Sequence, residues 1–239
     1  MIHRYDTLPS TNDEALRLAK EGAETYTTVV ADHQTAGRGR AGHSWEAPAG
    51  AALLCSVLLR PRVAVQAIPL CTLAAGLAVC DAIRRTTTLE PALKWTNDVL
   101  VRGRKCCGIL CESIPETNGS VAVVAGIGIN VSTPAEALPP RTIFPATSLA
   151  IEGAAIGRDE LLAALLPALR ERIEALEGPD GAARTIAAFN GLDALRGLDL
   201  LVDGAPGGID RGLDDEGHLL LEQPDGTLRP IVAGSISIA

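Results

Sequence analysis

Residues 105–113, KCCGILCES, and residues 120–131, SVAVVAGIGINV, are two short apolar runs separated by a polar segment. Runs of this length favour strands over helices when turn residues flank them. A third run at residues 51–59, AALLCSVLL, is apolar throughout, which is typical of a strand buried on both faces of a sheet. We therefore predict that a sheet containing these three strands underlies the fold.

The segments around these runs predict further strands and four helices. A helix is expected to start at residues 10–14, where Thr11 and Glu14 have the spacing of a capping box, and to stop at Gly22. Residues 68–85 predict a buried helix, residues 159–176 predict an amphipathic helix, and a short helix follows to residue 190. Residues 25–32, 93–95 and 98–101 predict strands.

The pattern changes after Leu198. Short apolar segments at residues 198–202, 218–222, 228–231 and 235–238 are separated by glycine turns. Such segments are too short for a large core of their own and predict a compact barrel docked on the main domain. We place the main domain at residues 1–193 and the small β domain at residues 194–239.

The composition excludes several classes of protein. The formal net charge of -8 argues against a general nucleic-acid or anionic-membrane binder, because contacts to phosphate need a basic surface. No apolar run is long enough to span a bilayer, and the sequence after Met1 lacks the apolar segment of a signal peptide. The six cysteines are therefore expected to be reduced, mostly buried thiols of a cytoplasmic protein.

The loop at residues 34–45, QTAGRGRAGHSW, combines three glycines, two arginines and a tryptophan. Glycines allow close approach to a ligand, arginines supply a planar fork for carboxylate or phosphate, and tryptophan offers a flat face for a purine. The loop lacks the lysine of a P-loop and the following helix of a dinucleotide-binding fingerprint. Two interpretations stay open, a lid over an anionic ligand and a solvated flexible loop.

Charged and amide side chains lie at the ends of the apolar strands. Residues 94–98 read KWTND, and Lys105 follows seven residues after Asp98. A lysine at this place can neutralise charge that develops between a carboxylate and an α-phosphate. Asp98 is a candidate to hold that lysine or to bind Mg²⁺, and a structural salt bridge is the alternative. In residues 126–130, GIGIN, the glycines leave room for a ligand or mark a bulge.

Taken together and in order, five segments resemble the biotin–protein ligase family. They are residues 10–12 (STN), 34–45, 94–98, 105–112 (KCCGILCE) and 126–130. Members activate biotin with ATP and attach it to a lysine of a carrier domain. The resemblance implies an α+β fold, with a catalytic domain similar to class II aminoacyl-tRNA synthetases (a mixed β-sheet with helices) followed by a small SH3-like β-barrel.

The resemblance also implies a role for each matched residue. The implied catalytic residues are Lys105, Arg40 and Arg38. The implied biotin contacts are Ser10, Thr11, Gln34, Gly37, Arg38, Lys105, Gly108, Gly126 and Ile129. The implied ATP or adenylate contacts are Arg38, Arg40, Trp45, Asn97, Asp98, Lys105 and Asn130. Asp98 is the implied metal ligand, ATP and Mg²⁺ are the implied cofactors, and biotin is the implied substrate.

The implied partner is the biotin carboxyl carrier domain of a carboxylase, with a homodimer as an open option and with neither DNA nor a membrane. The chain departs from the family at Thr96, where proline is usual, and at His43, which replaces a basic residue. An N-terminal DNA-binding domain is not expected, because the STN motif begins within a dozen residues of Met1. The alternatives are a lipoate or octanoate ligase of the same fold and a non-catalytic biotin-binding regulator.

Overall fold

The computed structural model describes residues 1–116, 119–140 and 144–239. Its central sheet consists of β1 (Ile2–Leu8), β2 (Thr28–Gln34), β3 (Ala52–Leu59), β4 (Pro91–Lys94), β5 (Asp98–Val101), β6 (Arg104–Pro115) and β7 (Val121–Asn130). These seven strands lie in the order β1-β2-β3-β7-β6-β5-β4. The sheet is mixed, because β1 runs parallel to β2 while the other neighbouring strands are antiparallel.

Helices cover both faces of this sheet. They are α1 (Thr11–Lys20), α2 (Leu70–Thr86), α3 (Arg158–Glu177) and α4 (Gly181–Asn190). The larger core joins one face of the sheet to α2, α3 and α4, and a smaller core joins the other face to Ala15 and Ala19 of α1. All eight residues of β3 are buried between the two layers, which confirms the predicted doubly buried strand.

The start of α1 corrects one local prediction. Ser10 is the N-cap residue and its side chain makes no capping hydrogen bond. The Thr11 hydroxyl instead donates to Gln34 Oε1 at 3.0 Å, and Glu14 accepts a bond from the Tyr5 hydroxyl at 2.6 Å. The predicted capping box of Thr11 and Glu14 is therefore wrong, because tertiary partners occupy both side chains. The predicted stop at Gly22 agrees with its φ of 86° just beyond the helix.

A second, five-stranded antiparallel sheet forms the C-terminal part of the chain. Its strands are β8 (Asp199–Val202), β9 (Ala205–Leu213), β10 (Leu219–Glu222), β11 (Leu228–Ile231) and β12 (Ile236–Ile238). They lie in the order β11-β10-β9-β8-β12, as expected for a small barrel-like domain. The core of this sheet is continuous with the larger core, and the Trp95 indole donates to the Gly217 carbonyl at 3.0 Å. The small sheet is thus packed firmly on the central one.

Two acidic side chains meet where the chain passes from α4 into the second sheet. Asp193 lies in a segment that pairs with Leu93 of β4, and Asp210 lies on β9. Burial raises the pKa of Asp193 from 3.8 to about 7, and the nearby Asp210 carboxylate adds to this shift. Burial also raises the pKa of Asp210, against the attraction of Arg196. The folded chain therefore binds a proton here that the unfolded chain releases.

We expect this acidic pair to make the chain less stable as pH rises. Because the folded-state pKa of Asp193 exceeds its unfolded value, stability is lost between pH 3.8 and about 7. Asp193→Asn should raise the free energy of unfolding by about 1–3 kcal/mol above that range and much less below it. Urea unfolding at several pH values measures this, with the exposed Asp199→Asn as the matched control. An equal effect of Asp193→Asn at every pH would contradict the assignment.

Candidate functional site

A cavity of about 690 Å³ opens between the ends of the central strands, the loop at residues 34–45 and a turn of the second sheet. Most of the predicted site residues line it, namely Ser10, Thr11, Gln34, Arg38, Arg40, Trp45, Asn97, Asp98, Lys105, Gly108 and Gly126. The structure therefore brings residues from all five of the matched sequence segments to one cavity.

The floor of the cavity is made by glycines on paired strands. Gly108 of β6 lies opposite Gly128 of β7 in the ladder, and the Trp45 indole rests on both. A Cβ atom on Gly128 would lie 2.6 Å from Trp45 Cε2, and one on Gly108 would lie 2.9 Å from Trp45 Cζ3. Both glycines are therefore needed for the indole to lie flat on the sheet. In this structure the space that the sequence assigned to a ligand is occupied partly by Trp45.

The loop at residues 34–45 is folded back over this floor. Trp45 N–H donates to the Gly37 carbonyl at 2.9 Å, and Gly39 N–H donates to the His43 carbonyl at 2.7 Å. A Cβ atom on Gly37 would lie 2.3 Å from the Trp45 carbonyl oxygen, so a side chain there would break this closed shape. The loop thus has the geometry of a lid, as one of the two predicted interpretations requires.

Asp98 holds two lysines at one side of the cavity. Its Oδ1 lies 2.6 Å from Lys105 Nζ, and its Oδ2 lies 3.3 Å from Lys94 Nζ. Burial lowers the pKa of Lys94, although the attraction of Asp98 opposes this shift. Lys105 Nζ lies 5.9 Å from the centre of the Trp45 ring and 3.4 Å from the Cβ position of Gly108. Lys105 therefore projects across the glycine floor, held there by Asp98.

The pairing of Asp98 limits its use as a metal ligand. Both carboxylate oxygens face ammonium groups, and a cation would have to displace them. Within residues 1–116, 119–140 and 144–239, no three His, Cys, Asp or Glu side chains are grouped so that they could hold a metal ion. The geometry favours the other role predicted for Asp98, which is to hold Lys105.

Arg40 reaches the same cavity from the loop. Its Nη1 donates to Asn97 Oδ1 at 3.3 Å, and the Asn97 amide donates in turn to the Ile109 carbonyl at 2.9 Å. Most of the Arg40 donors therefore remain available for an anion. The cavity joins an ammonium group and a guanidinium group above an uncharged floor, which suits a ligand that carries carboxylate or phosphate.

Three predicted site residues lie outside the cavity lining, namely Gly37, Ile129 and Asn130. Ile129 is fully buried in the larger core. Asn130 donates to the Thr147 carbonyl at 3.1 Å and accepts from the Thr133 hydroxyl at 3.2 Å. These contacts tie the end of β7 to the segment that follows it.

Several residues at the site were not predicted. Asn12 lies against Gly126, whose Cβ position is 2.1 Å from Asn12 Oδ1, and Ser56 Oγ lies 2.6 Å from the same oxygen. Asn12 belongs to the STN segment, so its motif pointed to it. The turn at Asp203 and residues 233–235 of the second sheet also line the cavity. No local sequence pattern predicts that these residues line the cavity, because they are far along the chain from the other site residues.

The remaining sequence predictions concern thiols and membrane spans. All six cysteines, each within the described residues, are free, and only Cys111 is not fully buried. Burial raises the pKa of Cys55 to about 12, and it raises the pKa of the other thiols in the same direction. Among the described helices, none combines the length and apolar character that crossing a membrane requires.

Comparison with known proteins identifies relatives along most of the chain. The family model "Biotin/lipoate A/B protein ligase family" matches residues 5–130, and the model "Biotin protein ligase C terminal domain" matches residues 204–238. The biotin--[acetyl-CoA-carboxylase] ligase of Mycobacterium tuberculosis is 39% identical over 224 residues, which cover 89% of this chain and 80% of the relative. The protein of the same name from Paracoccus denitrificans is 36% identical over 233 residues, which cover 95% of each.

A solved structure extends the likeness to the whole fold. The biotin protein ligase from Aquifex aeolicus, in complex with biotin and ATP, superposes with a TM-score of 0.81 and 29% identity, over 100% of this chain and 98% of that one. This likeness covers both sheets and agrees with the implied α+β catalytic domain and small C-terminal barrel. Together with the family match over residues 5–130 of 239, it shows that the chain belongs to the biotin/lipoate A/B protein ligase family.

Proposed function

We propose that this chain is a biotin–protein ligase that uses ATP to form biotinyl-5′-AMP and then transfers biotin to a lysine of a biotin carboxyl carrier domain. The observation that carries the proposal is the Lys105 ammonium group, held 2.6 Å from Asp98 and directed over the Gly108 floor beneath the folded loop. The names of the two bacterial relatives and the ligands of the Aquifex enzyme support biotin and ATP as substrates.

The chemistry needs positive charge and exclusion of water rather than a protein nucleophile. In the first step, a carboxylate oxygen of biotin attacks the α-phosphorus of ATP while the bond to pyrophosphate breaks. In the second step, the neutral amine of the carrier lysine attacks the acyl carbon, AMP leaves, and the amine loses a proton. Lys105 and Arg40 stabilise the negative charge that develops on the phosphate oxygens. The folded loop keeps water from the mixed anhydride.

We assign each residue that the family resemblance implies to a part of the proposed substrate site. Ser10, Thr11 and Gln34 form one polar group, in which Gln34 Oε1 accepts from Thr11 N–H at 2.7 Å. This group lines the cavity and would bind the polar head of biotin. Trp45 and Asn97 would contact the adenylate. Gly37 and Ile129 act through the backbone that they shape, and Asn130 acts through the strand end that it holds.

Mg²⁺ enters this scheme as part of the Mg·ATP substrate. Because Asp98 is paired with Lys105 and Lys94, we assign it to positioning these lysines, and the ATP phosphates supply the ligands of the metal ion. A cytoplasmic location, the lack of DNA binding and the domain boundary after residue 193 stay predictions from the sequence, and a homodimer stays an open option.

The direct test is ATP-dependent biotinylation of an isolated carrier domain by the full chain. We expect transfer of biotin to the carrier and release of pyrophosphate, both dependent on ATP. Parallel reactions with lipoate and octanoate test the related ligase activity, and a carrier with its acceptor lysine replaced by arginine is the matched control. Activity with lipoate but not biotin would overturn the proposal, and so would biotin binding without pyrophosphate release.

A further inference from the structure

The two arginines of the loop have different partners. Arg38 Nη1 lies 2.6 and 2.8 Å from the two carboxylate oxygens of Asp13, and Arg38 Nη2 lies 3.2 and 3.0 Å from those of Glu112. Asp13 belongs to α1 and Glu112 to β6. One guanidinium therefore ties the loop to a helix and to a strand, and two carboxylates more than balance its charge.

Arg40 provides the contrast within the same loop. Its side chain donates to the neutral Asn97, and within the described part of the chain it forms no ion pair with a carboxylate. An arginine already flanked by two carboxylates is poorly suited to bind an anion, because the two negative charges repel the incoming anion. The local electrostatics thus give anion binding to Arg40 and leave Arg38 with a different task.

The carboxylate on the sheet is itself held in place. Glu112 Oε2 accepts a hydrogen bond from the Asn12 amide at 2.6 Å, and Asn12 is buried beside Ser56. Exposed ion pairs contribute little when both side chains must be ordered for the contact. Here the hydrogen bond from the buried Asn12 orders Glu112 in advance. Arg38 uses one terminal nitrogen for each carboxylate, so a single guanidinium joins two elements by charge-assisted hydrogen bonds.

We infer that Asp13 and Glu112 form, with Arg38, an ion-pair latch that holds the glycine-rich loop closed over the cavity. In the proposed reaction, on which this inference rests, the latch retains biotinyl-adenylate until the carrier lysine arrives. Arg38 acts in the latch as a positioning residue through its side chain. Opening of the latch releases the reactive anhydride, which then acylates any nearby amine.

The first test measures the loop without any reaction. Trypsin cleaves after Arg38 and Arg40 only when the loop opens, so the cleavage rate of the ligand-free chain reports the latch. The variant Asp13→Asn/Glu112→Gln keeps the side-chain sizes and the bond to Asn12 but removes both negative charges. We expect cleavage in the loop to accelerate about tenfold, which corresponds to about 1.4 kcal/mol. Glu24→Gln, at an exposed carboxylate in the loop between α1 and β2, is the matched control and should leave the rate unchanged.

The second test measures retention of the intermediate. We expect the double variant to biotinylate a bystander protein that lacks an acceptor sequence several-fold faster than the wild type, with an unchanged first burst of pyrophosphate. Asp13→Asn alone should show a smaller increase, and thermal unfolding of each variant checks that it folds.

The outcomes separate the latch from the proposed function. Unchanged loop cleavage in the double variant overturns the latch. Faster cleavage without faster bystander labelling overturns the role in retention. Faster cleavage in a chain whose wild type forms no adenylate supports the latch and overturns the proposed function.

Discussion

Replacing Lys105 with alanine is expected to slow formation of biotinyl-adenylate by about 10²–10³-fold, the usual cost of removing one preorganised donor from a developing negative charge. The Lys105 ammonium group is fixed by Asp98 at 2.6 Å and lies next to Gly108 in the lining of the cavity. Pyrophosphate release in a single turnover measures the step directly. Transfer to the carrier from preformed adenylate should fall much less, because the charge on the phosphate is already present there.

Two variants control this result. Lys20→Ala makes the same change at an exposed position at the end of α1 and should leave the rate as in the wild type. Lys105→Arg keeps the charge but places a larger group beside the Gly108 floor, so we expect partial activity. A near-normal single-turnover rate for Lys105→Ala would remove Lys105 from the proposed mechanism.

Asp98→Asn is expected to lower the free energy of unfolding by about 3 kcal/mol, because it leaves a buried ammonium group without its counter-ion. Lys94 is 7% exposed, and its pKa is already lowered by burial, with Asp98 as the group that opposes the shift. Loss of that carboxylate favours the neutral amine of Lys94. Urea unfolding of the single variants, followed by circular dichroism, measures the cost.

A double variant separates stability from activity at this site. Lys94→Met/Asp98→Leu replaces the buried pair by apolar groups and should recover most of the lost stability. It should not recover adenylate formation, since Lys105 loses the carboxylate that directs it. Lys94→Met alone, which keeps the contact between Lys105 and Asp98, is the control. If Asp98→Asn unfolds at the same urea concentration as the wild type, Asp98 does not stabilise the buried lysine.

The elements with an apolar signature were predictable from the sequence. The strand at residues 51–59 and the helix at residues 68–85 have a continuous apolar composition because packed layers bury them on nearly every side. The structure places them at Ala52–Leu59 and Leu70–Thr86. An element that is buried on all sides has a continuous apolar sequence, which can be recognised without knowing the neighbouring elements.

Two strands, β1 and β9, were not predicted from the sequence, each for a different reason. β1 is an edge strand whose residues are exposed or half-buried, so its sequence IHRYDTL is polar, and its pairing with β2 depends on α1 folding between them. β9 contains Pro206, Gly207 and Gly208, which ordinarily disfavour strands. At Gly208 the φ is 117° and a Cβ atom would lie 2.4 Å from the Glu222 carbonyl oxygen. Glycine is required there by the approach of β10, and this tertiary contact is not visible in local sequence.

Most residues of the site could be predicted from the sequence, but the contacts between their side chains could not. Lys105, Asp98 and the glycines were identifiable because charge at a strand end and glycine within a strand are both unusual. The partners of Arg38 lie 25 and 74 residues away along the chain, and no spacing rule links them. The family resemblance implies a substrate contact for Arg38, and its pairing with two carboxylates is visible only in the structure.

The two tryptophans have different surroundings, so their intrinsic fluorescence can report the position of the loop. Trp95 is buried, and its indole N–H is bonded to the Gly217 carbonyl of the second sheet, a contact that does not involve the loop. Trp45 lies on the glycine floor, and its indole nitrogen is buried without a hydrogen-bond partner in the part of the chain that the structure describes. Lifting the loop moves this indole into water and shifts its fluorescence to longer wavelength. Stopped-flow fluorescence of the unlabelled chain can thus time each opening and closing of the lid.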